Sequence, residues 1–259
     1  MILINDSKLN GRVMKKAISG YLECNGVIVK ISSIEDLNLF ISKYGKCTND
    51  ITEQYLKKLT ASKVGDEYRD DCNCRYLQSP LRLANCQNIS SYKIKEGTIA
   101  VLNNACSPYC SAYSNRLNSV LIPDSVIAIG MFSFAGNHSL SKVILSSNLL
   151  RIGNRAFISC CKLKDITLTD SIEYIGESAF CNTGLQEVVF PKSLKKIQSL
   201  AFSCCTELKT VTFKGKPKEL GSSIFDRCDS LAEIFVPTGT KEYFVQALFS
   251  VDERIVIEY

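Results

Sequence analysis

Tryptophan is absent from the 259 residues, and histidine occurs once, at His138. One imidazole cannot build a histidine metal cluster and gives little support to histidine-centred acid–base catalysis. No apolar run reaches the length needed to cross a membrane. The N-terminal stretch MILINDSKLNGRVMKKAISGYLECNG is broken by Asn5, Asp6, Lys8, Asn10 and Arg12. It therefore lacks the uninterrupted apolar segment of an export signal. A phosphate-gripping glycine loop is also missing, because Gly215-Lys216-Pro217 stands without the rest of that motif. Charge has only a slight bias: 31 Lys and Arg against 26 Asp and Glu, a net +5. That excess names no partner class. No cofactor or resident metal is expected, no nucleic-acid partner is expected, and no residue stands out as catalytic.

What the chain has is cysteine and a repeat. Thirteen cysteines is an odd, high number, in a chain too long for a small disulfide-dense scaffold, and leaves at least one thiol outside any internal disulfide. Most read as small buried hydrophobes. The repeat begins again at Leu117, Leu140, Leu163, Leu185, Leu208 and Leu231, a period of about 23 residues, with the unit from Leu163 one residue short. Three positions on stand Val120, Val143, Ile166, Val188, Val211 and Ile234; five on stand Ile122, Leu145, Leu168, Phe190, Phe213 and Val236. This alternation predicts a short strand with one buried face in each unit. Ile129, Ile152, Ile175, Ile197 and Leu220 refill the interior after a turn. Gly130, Gly153, Gly176 and Gly221 follow them at a tight bend, with Gln198 as the exception. Phe134, Phe157, Phe180, Phe202 and Phe225 then form an aromatic column. Three residues later comes a column of small side chains: Asn137, Cys160, Thr183, Cys205 and Cys228. A single unit cannot bury such a face alone, so the units must stack as a solenoid.

The pattern continues upstream in weaker form through Ile89, Tyr92, Ile94, Val101 and Ala105-Cys106. Leu83 and Cys86 read as aromatic-column and small-column positions, which starts the stack near residue 76. Residues 1–75 read as an α+β cap: a strand after Gly26, a helix over 34–44, a second helix over 51–59, and a polar linker over 63–75. Residues 76–240 are the repeats. Residues 241–259 form a C-terminal cap, with a helix carrying Tyr243, Phe244, Ala247 and Leu248 and a closing strand over 254–259.

The composite pattern L-x-x-V-x-[IF]-P-x-S-[VIL]-x-x-I-G-x-x-A-F-x-x-C resembles the BspA-like subclass of leucine-rich repeats. The resemblance implies a leucine-rich repeat solenoid, with a strand plus short turns or 3-10 segments in each coil. It also implies a surface or secreted protein of a host-associated bacterium or protozoan, engaged in adhesion. The unsignalled N-terminus points instead to the cytoplasm, and both locations stand open at this level. The family motif is structural and brings no catalytic residue.

Function is therefore expected on outward-facing positions, as non-enzymatic recognition of a protein or glycan. The alternative is an intracellular scaffold for protein–protein contacts. One outward strand column is Ser119, Lys142, Asp165, Glu187, Thr210 and Glu233. The next is Leu121, Ile144, Thr167, Val189, Thr212 and Phe235, unusually apolar for a wetted face. It is the favoured contact surface, for a partner or for self-association. Lys192, Lys195, Lys196, Lys214, Lys216 and Lys218 suggest a separate basic patch. Cys72, Cys74 and Cys86 could in principle contribute zinc thiolates, with a fourth from Cys106 or Cys110, but their spacing fits no standard knuckle.

Overall fold

A computed structural model describes residues 89–108, 117–248 and 251–259 without a break. It also describes the stretches 21–24, 27–30, 67–69, 74–77 and 82–85, and residues 57, 60, 61 and 71. Near the N-terminus, β1 (Tyr21–Cys24) and β2 (Val27–Lys30) pair antiparallel. The strand expected after Gly26 is β2. Lys57, Thr60 and Ala61 are helical. The helix expected over 34–44, and most of the one over 51–59, fall outside the described residues. The polar stretch read as a linker instead contains β3 (Glu67–Arg69) and leads into β4 (Arg75–Leu77). β3, β4 and β5 (Arg82–Asn85) run antiparallel. Backbone pairing holds these strands, so a polar composition did not reveal them.

From there the chain winds as a parallel β-solenoid with coils of about 23 residues. Every coil but the one over 163–184 contributes to two sheets. The first sheet takes the strands expected from sequence alternation: β6 (Ser91–Lys93), β8 (Ser119–Leu121), β10 (Lys142–Ile144), β13 (Glu187–Phe190), β15 (Thr210–Phe213) and β17 (Glu233–Val236). The second takes two-residue strands where sequence showed only a turn: β7 (Ala100–Val101), β9 (Ala128–Ile129), β11 (Arg151–Ile152), β12 (Tyr174–Ile175), β14 (Lys196–Ile197) and β16 (Glu219–Leu220). This second sheet runs unbroken from β16 through β7 to β5 and on to β4 and β3. In it Leu83 pairs with Val101, and Val101 with Ile129. Leu83 thus belongs to the isoleucine column, not the aromatic one. Cys106 occupies the aromatic position, its amide donating to the Ser133 carbonyl just before Phe134.

The interior is a row of stacked identical positions. Phe134, Phe157 and Phe180 lie ring over ring at 5.1 and 5.3 Å, and Phe202 continues the stack 5.0 Å beyond Phe180. The backbone ladders that set this spacing continue behind the rings. Each aromatic amide donates to the next coil, as Phe134 to Ala156 and Phe157 to Ala179, both at 2.8 Å. The small-residue column satisfies carbonyls that the ladder leaves over. The Asn137 amide group donates to the Phe134 and Cys106 carbonyls, Thr183 Oγ1 to Phe180, and Cys160 Sγ to Phe134 at 3.3 Å. A buried thiol serves here as a weak donor, which is why cysteine recurs.

The segment around each phenylalanine is a run of tight turns rather than helical. Two positions per coil adopt left-handed backbone: Phe132, Arg155, Ser178, Leu200 and Ser223 before the ring, and Ser159, Asn182, Cys204 and Arg227 after it, all with φ between 50° and 60°. Few of these are the residues that favour such angles. The glycine column has a different cause. A Cβ on Gly153 would lie 2.6 Å from the Gly130 carbonyl carbon, so adjacent coils touch backbone to backbone.

The C-terminal cap forms as expected. Helix α1 (Lys241–Ala247) buries Phe244 against Phe213, at 4.6 Å between ring centres, and Leu248 packs behind it. A 3-10 turn over Glu253–Ile255 leads to β18 (Val256–Glu258), which pairs parallel with β17 and closes the first sheet.

Two stability outcomes follow from this packing. Phe157→Ala opens a ring-sized hole between two stacked neighbours and should cost about 3–5 kcal/mol in urea unfolding. Ser223→Gly relieves a left-handed backbone and should raise stability by about 1 kcal/mol in the same assay.

Candidate interaction surface

The alternation of each first-sheet strand decides which side chains reach solvent. Val120, Val143, Val188, Val211 and Ile234 are buried, so their neighbours on either side point outward. Lys142, Asp165, Glu187 and Glu233 are exposed, while Ser119 and Thr210 are half-buried. In the adjacent column Ile144 is 46% exposed, and Thr167 is exposed. Leu121, Val189, Thr212 and Phe235 are half-buried, each shaded by its stacked neighbours. Strand register places these side chains in one row: Leu121 beside Ile144, Val189 beside Thr212, and Thr212 beside Phe235.

The row is longer than the repeats alone indicated. Ile257 pairs beside Phe235 and is 37% exposed, and Lys93 pairs beside Leu121 at the other end. The closing strand was recognisable from its sequence, but its register against β17 was not. That register adds the isoleucine.

The row is also divided. The first sheet consists of two panels, β6–β8–β10 and β13–β15–β17–β18. Between them the segment 165–168 keeps the inward and outward alternation, with Ile166 and Leu168 buried. Yet among the described residues no backbone hydrogen bond joins 165–168 to β10 or to β13. The division coincides with the coil that is one residue short, the omission lying between Phe180 and Leu185. There Gly184 comes so close to the Cys161 carbonyl that a Cβ would lie 2.4 Å from its oxygen. The second sheet crosses the same coil intact, through β11–β12–β14.

The lysine group does not form one field. Lys195 pairs with Glu173 and Lys196 with Glu219, each at 2.7 Å. Lys196 belongs to the second sheet. Lys216 lies over the Tyr243 ring, 4.4 Å from its centre. Lys192, Lys214 and Lys218 are exposed. Lys192 packs beside Gly215 at the edge of the first sheet, whereas the Lys218 amide bonds to the Lys195 carbonyl on the way to the second.

On the second sheet a shallow cleft of about 250 Å³ lies around Gln198, with Glu177, Lys196, Ser199, Glu219 and Gly221 in its wall. Gln198 stands where the other coils carry glycine, and its Oε1 accepts the Glu177 amide at 3.0 Å. Glu177 is paired with Arg155, and Glu219 with Lys196. The charges in the cleft are thus satisfied internally. His138 donates Nδ1 to the Ser159 carbonyl at 2.9 Å, so that nitrogen is not a free base. Among the described residues no three His, Cys, Asp or Glu side chains are grouped to hold a metal ion. Cys72 and Cys86 lie outside the described residues, and Cys74 is buried. No helix among the described residues is long and apolar enough to cross a membrane.

Stacked parallel coils with one strand face and one turn face define the leucine-rich repeat class. Within that class the BspA-type leucine-rich repeat region matches in six copies, over residues 106–232 and 151–253. The chain belongs to this family. Among solved structures, a leucine-rich repeat protein from Bacteroides ovatus is 21% identical, with a TM-score of 0.52 over 67% of this chain and 49% of that one. A leucine-rich repeat protein of T. pallidum is 23% identical, with a TM-score of 0.52 over 66% of this chain and 90% of that one. At these identities the likeness is one of fold. A histidine–tRNA ligase of Syntrophomonas wolfei is 24% identical over 110 residues, which is 40% of this chain and only 25% of the ligase. The chain thus spans a quarter of that curated relative and about half of the Bacteroides protein.

The orientation of the face has a direct check. Ile144→Asp, on the exposed side of β10, should change unfolding free energy by about 0.5 kcal/mol or less. Val143→Asp, one residue away and 8% exposed, buries a carboxylate in the stack and should prevent cooperative folding. Similar effects from the two changes would mean the strand faces the other way.

Proposed function

We propose that this protein is a non-enzymatic binding protein that recognises a protein or glycan through the outward face of its first sheet, as an adhesin at a cell surface. The observation that carries this reading is the outward column in two aligned panels, Leu121 with Ile144 and Val189 through Phe235 to Ile257, with Ile144 its most exposed apolar side chain. A row of apolar side chains on a regular strand face is costly to leave wet and well shaped for a partner. Lys142, Asp165, Glu187 and Glu233 border it and would supply orientation. The family resemblance supports adhesion as the biological setting.

A second reading, an intracellular interaction scaffold, is favoured by the cysteines. Cys160, Cys205 and Cys228 donate as thiols to buried carbonyls, a role that requires them reduced. A reducing compartment maintains that state.

The test is capture from host-cell surface extract and from cytosol, with the wild type compared against a folded Ile144→Asp/Val189→Asp double variant. A specific partner should be retained at least tenfold less by the double variant. Undiminished retention would remove the first-sheet face as the binding surface. The compartment supplying the partner separates the two readings.

A further inference from the structure

We infer that Cys181 and Cys204 form a disulfide-forming modification site that staples the short coil, Leu163–Gly184, to the coil that follows it. The inference is independent of which face binds a partner. The two residues lie on adjacent coils, in the turns after Phe180 and Phe202. Their neighbours fix their relative position: the Phe180 amide bonds the Ala201 carbonyl at 2.8 Å, and the Asn182 amide bonds the Ser203 carbonyl at 2.9 Å. The Phe180 and Phe202 rings stack 5.0 Å apart. Cys181 is therefore level with Ser203, and Cys204 is one residue along. Positions one strand spacing and one residue apart have Cα atoms roughly 6 Å from each other, within the disulfide range of about 4.4–6.8 Å.

The side chains agree with the backbone. Partial burial pushes the pKa of the Cys181 thiol up, and the Ser203 hydroxyl and the Cys204 thiol are among the side chains that act on it. Both are free thiols, and both are partly open to solvent.

The neighbouring pair of thiols is unsuitable. Cys205 and Cys228 are both buried. Each donates to a carbonyl, Cys205 to Phe180 and Cys228 to Phe202, both at 3.1 Å. Oxidation would remove the thiol donor from both buried carbonyls, leaving Phe180 with the Thr183 hydroxyl. Cys181 and Cys204 carry no such duty. Cys161 is exposed, but its sulfur lies near the Ser159 and Asn182 carbonyls and His138 rather than near another thiol.

The oxidant is a low-molecular-weight disulfide of the glutathione class. One cysteine thiolate attacks it, forming a mixed disulfide and releasing one small thiol. The second thiolate attacks the protein sulfur of that mixed disulfide and expels the second small thiol. Two protein thiols are oxidised and one small disulfide is reduced to two thiols. The new bond spans the coil whose strand segment pairs with neither panel of the first sheet. It would hold together on the turn side what the backbone leaves unpaired on the strand side.

The experiment is incubation of the full chain with oxidised glutathione, alkylation of remaining thiols, and non-reducing peptide mapping. Trypsin should yield a linked pair of peptides, 165–192 with 197–209, two hydrogens lighter than the free peptides. Cys204→Ser should abolish the linked species and Cys205→Ser should retain it. Circular dichroism confirms that each variant folds. The oxidised wild type should melt roughly 5 °C higher than the reduced protein, and Cys181→Ser should not. Persistent alkylation of both thiols, a stable glutathione adduct without the link, or a link surviving Cys204→Ser would each overturn the assignment.

Discussion

No coil of this protein can cover its own interior, and the rest of the structure follows from that constraint. A coil is one residue layer thick along the stack, so every inward side chain is open above and below until another coil is laid on it. The stacked phenylalanines express this most directly, since each ring is a wall for the ring before it and for the ring after it. The backbone obeys the same rule, with amides of one coil donating to carbonyls of the next through both sheets and the turn rows. The last coil would end on an open apolar layer. Phe244 and Leu248 of α1 cover it, and β18 takes up the remaining edge.

This constraint explains which parts of the fold were legible in the sequence. An inward position must satisfy the same neighbours in each coil, so it repeats, and repetition is readable. The first-sheet strands and the aromatic column were legible for that reason. The second sheet was not. Its strands are two residues long, too short for alternation to register. The left-handed positions were also hidden. Arg155, Ser178 and Leu200 carry no glycine or asparagine signal, because the ladders on either side hold the backbone in place whatever the side chain. Leu83 reads as an aromatic-column residue from spacing alone, but its pairing with Val101 places it in the isoleucine column.

The candidate surface was legible only in part, for the opposite reason. Outward positions are free to vary, so their columns can be located by counting, while their role cannot be inferred from recurrence. Counting found Leu121, Ile144 and Val189. It missed Ile257, whose place depends on the pairing of β18. It also gave no warning that the sheet divides, since Asp165-Ile-Thr-Leu alternates as well as any other strand segment. The only trace was one residue missing between Phe180 and Leu185, on the far side of the coil.

The lysines and the apolar row respond differently to being assembled. Folding partly cancels the basic group: Lys195 and Lys196 meet Glu173 and Glu219, and the others divide between two edges. Surface pairs of this kind add little stability, but they reduce the local field that would draw an acidic ligand. Folding has the reverse effect on the apolar side chains, which lie apart in sequence and become two aligned rows once the coils of each panel are in register. Among the surfaces considered, the row is therefore the one that stacking creates rather than weakens. Its division at 165–168 then sets the geometry of recognition. A ligand confined to one panel meets three or four rigid strands, whereas one crossing both must also contact Asp165 and Thr167, on a segment without ladder support.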